Sequence, residues 1–204
     1  SEAQTDNVAV LLRMADVAYM MENYTAMSEV CDKALHLDTS NLLTYLYYAK
    51  ACRGLGEPIR AVAVLSLAIK LREDYYAARL LRGTILLENH LLDDAAQDAD
   101  YLFTHLEPNE DVLLLKARVL KAQEKTKEAE QVYGMVIEVN PFSLDAYRER
   151  SEVRTILGDA AGAAEDEASI KEMGAEVPEP SEGIEQKIKE KMQQMDPYKV
   201  FHNE

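Results

Sequence analysis

The sequence of 204 residues has little of several residue types. It contains no tryptophan, three phenylalanines and two cysteines, Cys31 and Cys52. Two cysteines cannot build the disulfide framework of a small secreted domain, so the fold must depend on an apolar core. Both cysteines fall at positions expected to pack between helices, and we expect two buried free thiols. With 48% hydrophobic and 29% charged residues, the composition is that of an ordinary folded protein.

Basic residues and long apolar runs are also scarce. The 22 Lys and Arg residues face 37 Asp and Glu residues, and the resulting net charge of -15 disfavours nucleic acid and anionic membrane surfaces as partners. No apolar run approaches the roughly 18 residues of a membrane span. The first ten residues contain neither a basic n-region nor an apolar h-region. These features favour a soluble cytoplasmic protein; the alternative is a periplasmic or secreted protein whose signal peptide was removed.

The usual catalytic and metal-binding motifs are missing as well. The four histidines are scattered, and none has the spacing of a metal site. There is no Gly-rich phosphate loop and no Gly-x-Ser-x-Gly elbow. Two acidic clusters, residues 93–94 and 165–167, are interpreted as solvated faces. The sequence therefore predicts no enzyme, no metal site and no cofactor.

Small residues recur with a constant 34-residue period, at Ala15, Ala49, Gly83, Ala117 and Ser151. A second column follows twelve residues later, at Met27, Ala61, Ala95, Ala129 and Ala163. Turn signals at the same phase divide each unit into two helices. Glycine in a helix costs about 1 kcal/mol relative to alanine, so a close approach of the second helix must explain Gly83. Two-helix units of this length indicate an α-solenoid.

The repeat resembles the tetratricopeptide repeat (TPR) family. The unit from Leu42 to Tyr75 carries family-like residues at Tyr45, Ala49, Gly56, Ala61, Leu65 and Ala68, and the unit from Glu110 to Ser143 carries them at Ala117, Ala129, Tyr133 and Pro141. The departures from the pattern are Met27, Ala99, Pro108 and Glu167. The resemblance implies an all-α, right-handed α-solenoid of about five helix-turn-helix units.

The predicted organisation has three parts. Residues 1–7 are a lead-in, and residues 8–177 hold five units with the bounds 8–41, 42–75, 76–109, 110–143 and 144–177. Residues 178–204 form a Pro-rich linker, an amphipathic helix and a tail, with Ile184, Ile188, Met192 and Met195 on one helical face. This helix is predicted to cap the fifth unit. The alternative is that it exchanges between chains and makes a homodimer.

The resemblance also implies that the first helices line a concave groove. The family's groove places give eleven candidate peptide-binding residues, which are Leu12, Tyr19, Leu46, Lys50, Arg53, Leu80, Leu87, Leu114, Arg118, Lys121 and Arg148. The four leucines that share the fifth place of their units form an apolar stripe. Such a stripe is either covered by other parts of the protein or used to bind a ligand. The alternative is that these leucines belong to the core between helices.

The charges in this set suggest the kind of ligand. The unit 42–75 has five basic and three acidic residues, although the chain as a whole is acidic. We therefore expect an apolar, partly acidic peptide or helix whose carboxylates pair with Lys50, Arg53, Arg118 and Lys121.

One TPR subclass binds the C-terminal carboxylates of chaperones through a clamp of Lys, Asn and Arg. At the matching places this chain has Leu12, Asp16, Tyr47, Ala77 and Leu81. The sequence therefore does not support a chaperone partner of the clamp type. It predicts a non-catalytic protein-interaction module or assembly scaffold. The alternative is a self-assembling structural protein that oligomerises through the groove or the C-terminal helix.

Overall fold

The described part of the protein, residues 2–175 of a computed structural model, consists of helices and short turns, with no strand in that range. Its ten helices are α1 (Glu2–Met20), α2 (Tyr24–Leu37), α3 (Leu42–Gly54), α4 (Pro58–Leu71), α5 (Tyr76–Glu88), α6 (Leu92–His105), α7 (Glu110–Ala122), α8 (Thr126–Val139), α9 (Leu144–Leu157) and α10 (Ala160–Ala175). They form five helix pairs, so the predicted all-α solenoid of about five units is confirmed. The predicted capping helix lies outside the described residues.

The sequence period is visible in the helix boundaries. Four of the first helices, α3, α5, α7 and α9, begin one full period apart. Asn41 and Asn109 precede two of them and accept hydrogen bonds from backbone N–H groups in the first turn. Helix α1 is longer and begins at Glu2, so residues 2–7 of the predicted lead-in are helical.

The helices stack as a linear array. Each helix contacts the helices that precede and follow it in the chain, which is the pattern of a solenoid. Among the described residues, α1 also contacts α3, α3 contacts α5, and α5 contacts α7, whereas the second helices make no comparable contacts with one another. The first helices α1, α3, α5 and α7 therefore lie closer together and form the inner face of the array.

Both small-residue columns are buried, because they lie where the two helices of a unit meet. Gly83 on α5 shows why the position must be small. A Cβ atom placed there would lie 3.2 Å from the Cβ of Asp98 on α6 and 2.9 Å from Cδ2 of Leu115 on α7. The close helix approach predicted for Gly83 is confirmed.

A third column with the same period ends the first helix of each unit. Residues with positive φ follow these helices at Glu22, Gly56, His90, Glu124 and Gly158. The backbone N–H of the next residue donates to a carbonyl five residues back, for example Leu91 N to Leu86 O at 2.9 Å. This is the Schellman arrangement, in which a left-handed residue lets the last carbonyls of a helix be satisfied.

Two buried ion pairs, which lie two periods apart in the sequence, join the helices of the third and fifth units. Nε and Nη2 of Arg82 each lie 2.7 Å from an Asp98 carboxylate oxygen, and Arg150 binds Asp166 in the same way at 3.0 and 2.6 Å. Asp166 belongs to the acidic cluster 165–167 that was expected to be a solvated face. For Asp166 that expectation is wrong, because α9 supplies its guanidinium partner and the carboxylate is buried.

The left-handed position gives a stability prediction. Replacing His90, which has φ of 59°, by glycine removes the steric cost of that conformation and should raise the free energy of unfolding by about 1 kcal/mol. Urea unfolding followed by circular dichroism measures the change. As a control, Gly158→Ala, at φ of 81° with nothing within 4 Å of its Cβ position, should lower stability by a similar amount. Unchanged stability in both variants would contradict this account.

The buried pair gives a second prediction. Nη1 of Arg79 also lies 3.4 Å from an Asp98 carboxylate oxygen. Asp98→Val therefore leaves the charges of Arg82 and Arg79 without their carboxylate and should cost about 3 kcal/mol of unfolding free energy. The double variant Asp98→Val, Arg82→Met should recover most of that loss, because units one, two and four already have valine at this place, at Val30, Val64 and Val132. Denaturant unfolding of the three proteins tests the coupling. Equal losses of unfolding free energy in the single and double variants would show that Asp98 and Arg82 are not coupled.

Candidate functional site

A groove on the inner face is the main candidate site. It has a volume of about 410 Å³ and is formed by α3, α5 and α7. Its lining residues are Leu46, Lys50 and Arg53 from α3, Ala77, Leu80, Leu81, Thr84 and Leu87 from α5, and Asp111, Leu114, Leu115 and Arg118 from α7. Most of the lining is apolar, with charged groups at its edges. This is the usual composition of a ligand-binding concavity.

The groove contains seven of the eleven residues predicted from the sequence. Tyr19 lies beside it, in an adjoining cavity of about 240 Å³ that shares Lys50 and Arg53 with the groove. The remaining three, Leu12, Lys121 and Arg148, line neither cavity.

The leucine stripe belongs partly to the groove and partly to the core. Leu46 and Leu80 are half-buried, and each packs against a core cluster while also lining the groove. Leu114 is buried within the core of the fourth and fifth units, although it too reaches the groove. The two interpretations of these leucines are therefore not exclusive.

Five lining residues were not among the predicted set. Ala77, Thr84 and Asp111 occupy the second and ninth places of their units, which are also groove places of the TPR family although these three residues were not selected. Leu81 and Leu115 occupy the sixth place, directly after the leucine stripe. Their contribution depends on how far each helix is rotated toward the groove, which the period alone does not specify.

Three of the four predicted ligand-pairing cations are already bound to carboxylates of the chain. Nε of Arg53 donates to Glu88 at 3.0 Å, and Lys121 contacts Glu152. Arg118 donates to Glu149 at 2.6 Å and, in addition, to Asp145 at 3.0 Å. Arg148 also contacts Asp145, at 3.4 Å.

Lys50 is different. Among the described residues it has no carboxylate within ion-pair distance, and its Nζ lies 5.2 Å from the ring centroid of Tyr19 and 5.8 Å from that of Tyr47. Such aromatic contacts hold an ammonium group without neutralising its charge. Lys50 therefore offers the groove a positive charge available to a ligand.

Several solved structures have the same arrangement of helices as this chain. Residues 41 to the end of MamA from Desulfovibrio magneticus RS-1 align with a TM-score of 0.78 and 14% identity, over 85% of this chain and 98% of that one. YrrB, described as a TPR protein with an unusual peptide-binding site, aligns with a TM-score of 0.65 and 16% identity, over 88% and 90%. A tetratricopeptide repeat protein from Parabacteroides merdae aligns with a TM-score of 0.69 and 20% identity, over 78% and 62%.

The chain has the tetratricopeptide-repeat fold. At these identities the likeness concerns the fold alone. No protein-family model matches the sequence, and a search of the curated proteins found no similar sequence.

Within this TPR solenoid, a hydrogen-bond network positions Arg118 at the α7 side of the groove. Glu149 on α9 accepts from Arg118 on α7 and, at 2.7 Å, from the hydroxyl of Tyr133 on α8. Burial and the hydrogen bond to Glu149 raise the pKa of the Tyr133 phenol, so it stays protonated and continues to donate. Three helices thereby hold Arg118 in place at the groove edge.

The two cysteines belong to the packed core. Cys31 and Cys52 are buried free thiols in one core cluster, as the sequence predicted. Burial, with a smaller contribution from Cys52, raises the pKa of Cys31 to about 12.

Within residues 2–175, no group of three or more His, Cys, Asp or Glu side chains is placed to hold a metal ion. None of the described helices is long and apolar enough to cross a membrane.

The buried thiols give a reactivity prediction. Because Cys31 is protonated and buried, and Cys52 is buried with a raised pKa, neither should react with iodoacetamide in the folded protein at pH 8. In urea both should react within minutes. Mass spectrometry of the native and unfolded protein counts the added groups. Rapid modification of the native protein would show that this core opens.

Proposed function

We propose that this protein is a non-catalytic interaction module that binds a peptide or helix in the groove formed by α3, α5 and α7. The observation that carries the proposal is the groove itself, a concavity of about 410 Å³ with an apolar floor. Its central leucines are half-buried, so a ligand that covers them gains the free energy of removing apolar surface from water. A concavity of this size holds a few side chains of an extended or helical segment.

The charges at the groove edges support an apolar ligand with an acidic end. Lys50, on the α3 side, is the cation that remains available to a ligand carboxylate. Arg53, Arg118 and Lys121 were expected to pair with the ligand as well, but each would first have to leave its own carboxylate partner. On the α7 side Asp111 is exposed and would repel a second carboxylate. The acidic end of the ligand is therefore expected toward α3.

A structural neighbour also supports a role in protein interaction. YrrB, which shares the fold, is described as having a peptide-binding site. The two buried free thiols favour a cytoplasmic location, where thiols stay reduced. The alternative function is self-assembly through the groove or the C-terminal helix.

A selection from a library of random twelve-residue peptides tests the groove. Selected peptides should contain at least two large apolar residues and an Asp, a Glu or a free C-terminal carboxylate. Leu80→Glu should weaken their binding at least tenfold, about 1.4 kcal/mol, because it places a charge on the apolar floor. Lys50→Glu should weaken the binding of acidic peptides more than the binding of the same peptides with their carboxylates replaced by amides. Fluorescence polarisation with labelled peptides measures both effects.

The matched controls lie on α4, outside the groove. Leu67 is exposed there, and Leu67→Glu should leave binding unchanged, as should Lys70→Glu. Circular dichroism shows whether each variant keeps its helices. Peptides that bind Leu80→Glu and the unaltered protein equally well would exclude the groove as the binding site.

A further inference from the structure

The outer face of α1 carries an apolar stripe that the described residues leave uncovered. Val10, Met14, Val17 and Met21 follow one another at intervals of four, three and four residues, which places them on one side of the helix and its end. Their exposed fractions are 57%, 51%, 55% and 72%. We call this surface the α1 face.

In units two to five, the residues that correspond to Val10 and Val17 are buried in the core. The counterparts of Val10 are Thr44, Ala78, Val112 and Ala146, and none is more than 3% exposed. The counterparts of Val17 are Ala51, Ile85, Val119 and Val153, and none is more than 1% exposed. In units three to five these residues belong to clusters with the second helix of the preceding unit. The α1 face is therefore shaped to receive an amphipathic helix.

The last helix of another copy is a poor match for this face. Helix α10 leaves charged side chains exposed along its length, at Glu165, Glu167, Lys171 and Glu172. Stacking α10 of one molecule on α1 of the next would remove charges from water against valine and methionine. End-to-end stacking of solenoids is thus disfavoured.

The C-terminal segment of the chain provides a better match. Ile184, Ile188, Met192 and Met195 are predicted to share one face of a helix, and they span eleven residue steps, as the stripe from Val10 to Met21 does. The segment 184–195 contains three lysines and two glutamates, whereas unit one, residues 8–41, contains five acidic and two basic residues. The two apolar stripes match in length, and the segment and unit one have net charges of opposite sign.

The segment cannot reach the α1 face of its own molecule. Neighbouring packed helices lie about 10 Å apart, so the four steps from α1 to α9 place the C-terminal end of the array about 40 Å from α1. The eight residues 176–183 that separate α10 from the segment span about 27 Å when fully extended. The donor must therefore be another copy.

We propose that the α1 face binds residues 184–195 of a second copy of this chain, and that reciprocal exchange of this segment makes a homodimer. The segment takes the place that a preceding second helix has in the later units and runs antiparallel to α1. Met195 then lies near Val10, and Ile184 lies near Met21.

Light scattering on the full chain tests the dimer. The unaltered protein should have twice the 22.9 kDa mass of the chain. Val17→Glu and Ile188→Glu should each give the monomer mass, because each removes one partner of the contact. Two controls should remain dimeric: Ile59→Glu, at a site 86% exposed on α4, and Leu80→Glu in the groove. Because Val17 is exposed, the Val17→Glu protein should keep its helices, and circular dichroism checks this.

A mixing experiment identifies the occupant. The Val17→Glu chain keeps an intact C-terminal segment, and the Ile188→Glu chain keeps an intact α1 face. Tagged Val17→Glu protein should therefore capture Ile188→Glu protein, but neither variant should capture itself. A monomeric full chain would overturn the proposal. A dimer lost in Val17→Glu but kept in Ile188→Glu would also overturn it, because the α1 face would then pair with a second α1.

Discussion

Close contact between the two helices of each unit, at a place that admits only a small side chain, is the constraint on which the rest of the structure depends. At Gly83 the backbone of α5 approaches α6 so closely that even a methyl group would lie 3.2 Å from the Cβ of Asp98. This approach brings Arg82 within reach of the Asp98 carboxylate and buries the pair. A solenoid has no contacts between distant units, so each such local contact determines the geometry of its own unit.

The groove is a consequence of this packing. Because α1, α3, α5 and α7 contact one another from unit to unit, their inner residues converge on one concave surface. Leu114 contributes to both the core and the groove, which ties the shape of the surface to the packing beneath it. Glu149 fixes Arg118 from the neighbouring helix α9. A surface held in this way is already in place before a ligand arrives, which lowers the entropy cost of binding.

The two ends of the described array differ in character. Every inner unit buries one face against the preceding unit and the other against the following one, so an end exposes what an inner unit hides. At the first end the hidden residues remain apolar, as Val10 and Val17 show. At the other end α10 exposes charged side chains, with alanines between them. Of these two ends, the first therefore has the composition of an interface.

The sequence by itself determined the five helix pairs, because helix spacing and turn residues are local properties that repeat in every unit. It also indicated most of the groove, since residues at equal places in successive units must share a face. Only the tertiary structure decided which charges are available. Arg118 on α7 is bound by Glu149 on α9, and Asp166 is buried by Arg150, whereas Lys50 remains unpaired among the described residues. These outcomes depend on distances between neighbouring helices, which no period along the chain specifies.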